Sequence, residues 1–530
     1  MSWQGAGKSR SALFQAIAIG LIFILIGAFG GLATAVMGST ATLFFTALLF
    51  GFFGLFVPLR YMVPALYIMS FVVVGQLIYF ARIDKALWIP FLFGALLLIR
   101  FPFDLMQRSK SSPYQAAFVP TLPGGVKAAL FVYFMTLIGS TLIHVIDPLQ
   151  IFVSAKEYVF LWAVLLLLTF GLVSPSLVQR IWVTLPWLMV LQIPLVLYQR
   201  FVIAPSRAER HMGAEWDAIV GAFGGNPEGG GSSGAMGLFC VIGIAIAVAR
   251  WRRGLLPGGQ ASLLIACGFV SIALAEIKFA VLLLPIALSL LYLRQIARKP
   301  VEGILAIVLA FTMSFTVLVL YKTQFANPGE QQTVSEYTAS LFSSRSNDAD
   351  FVNYRTREIG RVAALSFWWQ QHSLRTPDTL LIGHGAGASR VGDMVVGEAA
   401  RKWPFNIARS SMAVLLWEVG LLGTGAVIAF FIAAFFGLYR FVGDERLSAE
   451  QQTMAASMAV AVVVIGLGLP YNTDFLFSYQ VQLLLLLSVG YLAMLRGQYG
   501  HSGRPVAFRS VVNTGKPELA AASQVPSSSQ

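Results

Sequence analysis

Two arginines of this sequence are each followed by a glycine at the same spacing. Ten residues separate Arg210 from Gly221, and ten separate Arg409 from Gly420. Because a guanidinium group matches phosphate oxygens with two parallel hydrogen bonds, both arginines are candidate phosphate ligands, and the glycines are candidate backbone contacts. One such match arises by chance roughly one time in eleven at this glycine content, so the repetition is the informative part.

Further basic residues lie near the ends of apolar runs. Lys278 interrupts an apolar stretch beside Glu276, and charged groups in such places usually pair or serve a site. The polar segment before Arg409 concentrates further arginines, among them Arg355, Arg357, Arg361 and Arg390. Pairing of Lys278 with Glu276, and anchoring of the arginines at a membrane interface, are the structural alternatives to phosphate binding.

Glu418 and His384 are the candidate acid–base residues. Glu418 lies about two turns inside an apolar helix, where it is either a general base or the partner of an arginine. His384 lies between glycines in Gly383–Gly387 and is either an acid–base group or a structural histidine. The polar segments carry no motif with metal-ligand spacing, so neither a metal nor another cofactor is predicted.

The composition requires that membrane helices position these residues. Of the 530 residues 57% are hydrophobic and only 12% are charged, whereas a soluble chain is nearer one quarter charged. Apolar runs of about twenty residues exclude an outer-membrane barrel, whose strands alternate over about ten. The prediction is an all-α, polytopic membrane protein. Its net charge of +13 is explained by basic cytoplasmic loops and does not indicate nucleic-acid binding.

The apolar runs predict about 12 to 14 transmembrane helices. The candidate spans are 12–35, 40–58, 61–81, 86–100, 126–146, 158–173, 177–202, 234–250, 261–276, 278–294, 303–322, 410–439, 453–470 and 474–495. The first resembles a signal peptide but is long for one, so an uncleaved helix is predicted. Lysines and arginines concentrate in alternate loops, which places both termini in the cytoplasm.

This topology divides the chain into four regions. Residues 1–322 hold about eleven membrane helices and a glycine-rich outer loop at 203–233. Residues 323–409 form a large outer loop, in which the spacing of apolar residues predicts an amphipathic surface helix over 350–372. About three membrane helices follow in 410–495. Residues 496–530 are predicted to be a disordered cytoplasmic tail.

The region from Arg210 to Leu422 resembles the superfamily of O-antigen ligases and Wzy-type polysaccharide polymerases. The resemblance rests on four features: Gly225-Asn226-Pro227, the polar break at Lys278, the large outer loop with Leu381–Gly387, and Trp417-Glu418-Val-Gly420-Leu-Leu-Gly423. Ligases are expected to carry a His-Asn pair where this chain has Arg409-Ser410. Paired Arg-x10-Gly motifs in two periplasmic loops are a property of the polymerases, so the resemblance favours a polymerase.

The resemblance implies a metal-independent glycosyltransferase of the bacterial inner membrane. It would join polyprenyl-diphosphate-linked oligosaccharide units at the periplasmic face, during exopolysaccharide, capsule or O-antigen biosynthesis. Arg210, Lys278 and Arg409 would bind the diphosphates, with Arg355, Arg357 and Arg361 as second choices. Glu418 or His384 would assist deprotonation of the acceptor hydroxyl. Besides the bilayer, a flippase and a chain-length regulator of the same pathway are candidate partners.

Three other functions stay open, one of which is an accessory or channel-like component of a polysaccharide export complex. A ligase would transfer the lipid-linked glycan to another acceptor, and a flippase would move the lipid-linked oligosaccharide across the membrane. Transporters place their charged sites near the bilayer midplane and often have internal symmetry. The charges of this sequence lie at the predicted outer face and its halves differ, which favours an enzyme.

Overall fold

The computed structural model describes residues 51, 54–111, 120–145, 147–209, 218–227, 230–301, 303–305, 307–309, 311–312, 316, 352–353, 358–372, 376–392 and 395–499. These residues are almost entirely helical and include helices long enough to cross a bilayer several times. The predicted all-α, polytopic membrane fold is therefore confirmed. The predicted span 12–35, most of 40–58 and 303–322, and nearly all of the predicted tail 496–530 lie outside the described residues.

The described helices run in chain order as α1 (Leu59–Tyr79), α2 (Asp84–Gln107), α3 (Gly124–His144), α4 (Pro148–Thr169), α5 (Pro175–Ser206), α6 (Ser233–Arg252), α7 (Gly258–Leu274), α8 (Lys278–Arg298), α9 (Arg361–Gln371), α10 (Pro377–Ile382), α11 (Glu398–Arg401), α12 (Ser411–Gly443), α13 (Ala449–Gly468), α14 (Asp474–Phe477) and α15 (Tyr479–Tyr499). Within the described part of the chain, nine of them are long and apolar enough to span a membrane: α1 to α6, α12, α13 and α15. Short 3₁₀ or π-helical turns interrupt α1, α4 and α5, and a 3₁₀ turn begins α2 and ends α12.

The helix ends meet at two opposite faces of the bundle. At one face the turn after α6 contacts the start of α13, because Arg253 donates a hydrogen bond to Gln452 Oε1 at 2.6 Å and Arg250 pairs with Glu450. We call this the basic face, and its exposed arginines include Arg180, Arg298, Arg440 and Arg446. At the other face, which we call the loop face, the Ser411 amide donates to the Asn472 carbonyl at 2.7 Å.

The helix α4 begins at Pro148, earlier than the predicted start at 158. Asp147 caps its first turn. Lys156 and Glu157 lie buried inside it, ahead of the predicted start. Their side chains are 3.5 Å apart, and Arg390, from the distant polar segment, pairs with Glu157. Because buried charges are tolerated when they are paired, this compensation lets the helix enter the membrane, and sequence spacing does not reveal it.

The polar segment before α12 folds on its own small hydrophobic core. Val352–Asn353 pairs with Glu358–Ile359 as an antiparallel hairpin, and α9 follows Gly360. The predicted helix over 350–372 is therefore wrong in its first part, because cross-strand pairing of Val352 with Ile359 leaves no trace in helical periodicity. The core includes Ile359, Ala363, Ala364, Trp368, Leu380, Ala388, Phe405, Ile407, Ala413 and Trp417. Two of these residues belong to α12, so the segment is packed onto the membrane helix.

A second hairpin, Gly225–Asn226 with Gly230–Gly231, precedes α6. The segment before it returns into the bundle, where Ala218 to Gly224 are buried. The Tyr79 hydroxyl donates to the Ala218 carbonyl at 2.6 Å, and the Cα of Gly75 lies 3.0 Å from where a Cβ on Gly224 would be. The described part of the glycine-rich loop is thus a packed element.

Candidate functional site

The carboxylate of Glu418 holds the glycine-rich segment Gly383–Ser389 against the membrane helices. Its Oε2 accepts hydrogen bonds from the Tyr158 hydroxyl at 2.5 Å and the Gly387 amide at 2.7 Å. Its Oε1 accepts from the Ser389 hydroxyl at 2.7 Å and the Ser389 amide at 3.3 Å. We call these four residues the Glu418 clasp. Such a set of donors satisfies both oxygens of a carboxylate that is buried at 2% exposure.

Backbone hydrogen bonds continue the attachment. The His384 amide donates to the Trp417 carbonyl at 2.8 Å, and the Gly385 amide donates to the Glu418 carbonyl at 3.0 Å. Within a regular helix these carbonyls would accept from amides four residues later. Gly420 has φ 61° and ψ −163°, which breaks the helix there. The kink therefore presents helix carbonyls to the loop.

Gly420 is also required by close packing. A Cβ at this position would lie 2.5 Å from the Leu381 carbonyl carbon and 2.6 Å from the Gly383 nitrogen. A positive φ with this ψ is essentially restricted to glycine. The structure gives Gly420 a packing role, and its predicted contact with a diphosphate stays a prediction.

We expect Gly420→Ala to destabilise the protein by about 2 kcal/mol or more, since it adds backbone strain and overpacks the loop. Gly425→Ala is the matched control, because it lies in the same helix and its added Cβ would meet no atom within 4 Å. Thermal unfolding of both variants in detergent measures the difference. Equal melting temperatures for the two variants would contradict this role of Gly420.

Three histidines meet at the loop face. His372 Nε2 and His384 Nε2 are 3.1 Å apart, and the rings of His144 and His384 have centroids 6.1 Å apart. The ring of Trp417 packs against both His372 and His384. His144 ends α3 and also lies 3.6 Å from Asp378. Among the described residues, no group of three or more His, Cys, Asp or Glu side chains is arranged to hold a metal ion.

The hydrogen bonds of this cluster define a tautomer for each ring. His372 Nδ1 lies 2.8 Å from the Trp368 carbonyl, so it carries the proton. Its Nε2 therefore accepts from His384 Nε2, which leaves His384 Nδ1 as an acceptor. Burial lowers the pKa of His384 to about 4, with further lowering by His372 and Lys402. The pKa of His372 is lowered mainly by burial. A neutral His384 has a free lone pair at neutral pH but is a weak base.

One predicted cation, Arg361, contacts the turn after α13, and two others lie within two residues of positions that contact it. The Arg361 guanidinium lies over the Tyr471 ring, 4.3 Å from its centroid. The other stacking partner of Tyr471 is Phe279, with ring centroids 4.1 Å apart and planes 9° apart. Phe279 follows Lys278 directly at the start of α8. This stack links Arg361 and Lys278, which are far apart in the chain.

Arg409 is connected to the same turn by the contacts of residues near it in the chain. Its Nε donates to the Ile359 carbonyl at 3.1 Å, two residues before Arg361. Two residues after Arg409, the Ser411 amide bonds to the Asn472 carbonyl. We call the turn Tyr471–Asn472, with Arg361 over its ring and with Lys278 and Arg409 on the segments that contact it, the Tyr471 hub. Three positive charges at one face of a membrane bundle are suited to a ligand with several negative charges.

A carboxyl group lies in the same turn. Asp474 Oδ2 accepts a hydrogen bond from Asn472 Nδ2 at 2.5 Å, and a Cβ on Gly234, at the start of α6, would lie 2.6 Å from that oxygen. Burial raises the pKa of Asp474 to about 7. A carboxyl group with this pKa is half ionised at neutral pH, which suits proton transfer in either direction.

No protein-family model matches the chain, and neither does any curated protein. Membership in the superfamily of O-antigen ligases and polymerases therefore stays a prediction.

The structure separates the predicted site residues into three groups. Lys278, Arg361 and Arg409 lie around the Tyr471 hub, whereas His384, Glu418 and Gly420 attach or flank the loop that ends at Ser389. The third group, Arg210, Arg355 and Arg357, lies outside the described residues. The role of each as a catalytic or diphosphate-binding residue stays a prediction.

Gly221, the remaining predicted residue, makes its backbone contacts with α5. Its amide donates to Gln199 Oε1 at 2.7 Å and its carbonyl accepts from Gln199 Nε2 at 3.0 Å. Its φ of 57° again favours glycine. The Gly221 amide is thus engaged by the π-helical end of α5, and its predicted contact with a diphosphate stays a prediction.

Glu276 pairs with a residue that the sequence did not indicate. Its carboxylate lies 3.3 Å from Arg200 Nη1, although a Glu276–Lys278 pair was the structural alternative. Glu276 has φ 55°, so the helix break between α7 and α8 is confirmed. This conformation separates the two helices and starts α8 with Lys278 at the loop face.

Sequence reasoning missed several residues of the site. His144 and Asp474 lie inside the predicted spans 126–146 and 474–495, so the sequence predicts them as parts of membrane helices. Tyr158 and Ser389 became visible only as partners of Glu418. Polar Asn472 and Asp474 after Pro470 were the available signal for the hub, since such residues are unusual at the start of a membrane span.

Proposed function

We propose that the protein is a membrane glycosyltransferase that polymerises lipid-diphosphate-linked oligosaccharide units at its loop face. The observation that supports this most is that Arg361 lies over the Tyr471 ring, while Lys278 and Arg409 lie on segments that contact the same turn. A diphosphate leaving group carries several negative charges, and fixed cations at the membrane surface stabilise the charge that develops on it. The loop face would be periplasmic and the basic face cytoplasmic, in a bacterial inner membrane with both termini inside.

The reaction follows from these groups. The acceptor hydroxyl of an incoming unit attacks the anomeric carbon of the growing glycan, and the bond from that carbon to the diphosphate oxygen breaks. The bonding electrons leave with the lipid diphosphate, which the cations of the Tyr471 hub bind. The hydroxyl proton passes to a general base, for which Asp474 is the candidate with a pKa near neutrality.

His384 and Glu418 support this proposal less directly. Glu418 is occupied by the four hydrogen bonds of its clasp, which suits a residue that positions the Gly383–Ser389 loop. His384, with a pKa of about 4, is a weaker base than Asp474 at neutral pH. Both would act by shaping the loop face near the reacting groups.

The test is reconstitution of the full chain, purified in detergent, with a polyprenyl-diphosphate-linked oligosaccharide. We expect a ladder of products longer than one unit, without added metal. Arg361→Ala and Arg409→Ala are each expected to reduce polymer yield about 100-fold, which is typical of losing one group that stabilises transition-state charge. Arg401→Ala, an exposed arginine of the same segment, serves as the control.

Other products identify the alternative functions. Transfer of single glycans to an added lipid acceptor, without polymer, would indicate a ligase. Transport of the lipid-linked substrate across vesicles, with no new glycosidic bond, would indicate a flippase. Full activity in both Arg361→Ala and Arg409→Ala would contradict the assignment of the hub.

A further inference from the structure

A cavity of about 460 Å³ opens at the basic face, on the opposite side of the bundle from the Tyr471 hub. It lies between the start of α3 and the final turns of α12 and α15. Its apolar wall includes Ala433, Phe436 and Leu492, and Arg440 and Arg496 lie beside this wall. A cavity with one apolar wall and a basic margin is suited to an amphiphilic ligand with a negative head.

The positive charge at this cavity is uncompensated within the described part of the chain. There, neither Arg440 nor Arg496 forms an ion pair with a carboxylate. The first residues of α3, Gly124 and Gly125, also line the cavity, and no side chain caps this helix. Because the first amides of a helix lack partners within it, they add to the attraction for an anion.

The apolar wall continues onto the outer surface of α12. Phe436 is 57% exposed and Ile432 is 53% exposed, on a helix whose other side is packed in the bundle. In a membrane these side chains contact acyl chains. A small soluble anion would use the arginines but would gain nothing from this wall.

We infer that this cavity binds an anionic phospholipid of the leaflet at the basic face. The phosphodiester lies between Arg440, Arg496 and the start of α3, and one acyl chain runs along Phe436. Basic pockets between membrane helices recognise anionic head groups by this combination of charge and apolar contact. The site is separate from the Tyr471 hub, so it does not depend on the proposed reaction.

The experiment measures lipid binding to the full-length protein in detergent by native mass spectrometry. The probes are phosphatidylglycerol and phosphatidylcholine with identical acyl chains. We expect a preference for phosphatidylglycerol that falls about fivefold for each arginine removed, and so about 25-fold in Arg440→Gln/Arg496→Gln. Arg180→Gln, an exposed arginine of the same face outside the cavity, is expected to retain the preference.

Two further measurements separate a built site from diffuse attraction. Ala433→Phe places a larger side chain on the apolar wall, so that it fills part of the cavity, and leaves both arginines in place. This variant is expected to bind phosphatidylglycerol more weakly. Glycerophosphoglycerol, which has the same phosphodiester head group without acyl chains, is expected to compete poorly. The inference is overturned if Arg180→Gln loses as much preference as the double variant, if Ala433→Phe binds like the parent protein, or if glycerophosphoglycerol displaces the lipid at equal concentration.

Discussion

Replacing Glu418 with alanine is expected to destabilise the protein by at least about 3 kcal/mol, because buried donors lose their acceptor. The Tyr158 hydroxyl, the Gly387 amide and the Ser389 amide and hydroxyl would all lose a partner at once. The Gly383–Ser389 loop should also detach from α12. Thermal unfolding in detergent measures the first effect, and hydrogen exchange of the loop amides measures the second.

Two other variants serve as controls for this result. Glu445→Ala removes an exposed carboxylate at the basic face and should leave both measurements unchanged. Glu418→Gln keeps one acceptor oxygen but turns an amide group toward hydrogen-bond donors, so an intermediate loss of stability is expected.

The same variants bear on the predicted role of Glu418 as a general base. If Glu418→Gln melts like the parent protein but makes no polymer, Glu418 acts in proton transfer and the clasp is secondary. If Glu418→Ala unfolds at the parent temperature, the clasp does not hold the loop. Loss of stability together with loss of activity is the outcome that the geometry favours.

The membrane architecture was predictable because it depends on local composition. Apolar runs long enough to cross a bilayer identify helices without knowledge of their neighbours. Among the described helices, the largest displacement of a start, at Pro148, has a cause outside its own segment. Lys156 and Glu157 enter the membrane because Arg390 pairs with Glu157 across the bundle. A prediction from local hydropathy places such charged residues in a loop.

The candidate site was predictable only in its residue types. Arginine and lysine near helix ends indicated Lys278, Arg361 and Arg409, but their convergence depends on Tyr471 and Asn472, which carry no charge. Stacking of a ring between two distant segments has no periodic signal in the sequence. For the same reason the sequence predicts that the glycines contact a ligand. The structure shows that the close approach to Leu381 already requires a glycine at position 420.

Asp474→Asn is expected to reduce the proposed transfer rate by about 10²- to 10⁴-fold, since it removes the candidate general base. Asparagine retains an oxygen that accepts from Asn472 Nδ2, and it avoids burying a charge, so the variant should fold. A general base works when it has lost its proton. With a pKa of about 7 for Asp474, kcat/KM of the parent protein should rise as pH increases through 7 and level off above it.

The pH profile distinguishes a base from a residue that merely shapes the turn. In Asp474→Asn the residual rate should lose the rise near pH 7, whereas Asp378→Asn, which changes an exposed carboxylate of the same face, should keep both the rate and the profile. A residual rate in Asp474→Asn that still rises through pH 7 would show that another group accepts the proton. That result would not contradict diphosphate binding at the Tyr471 hub, because the cations act on the leaving group and Asp474 acts on the acceptor.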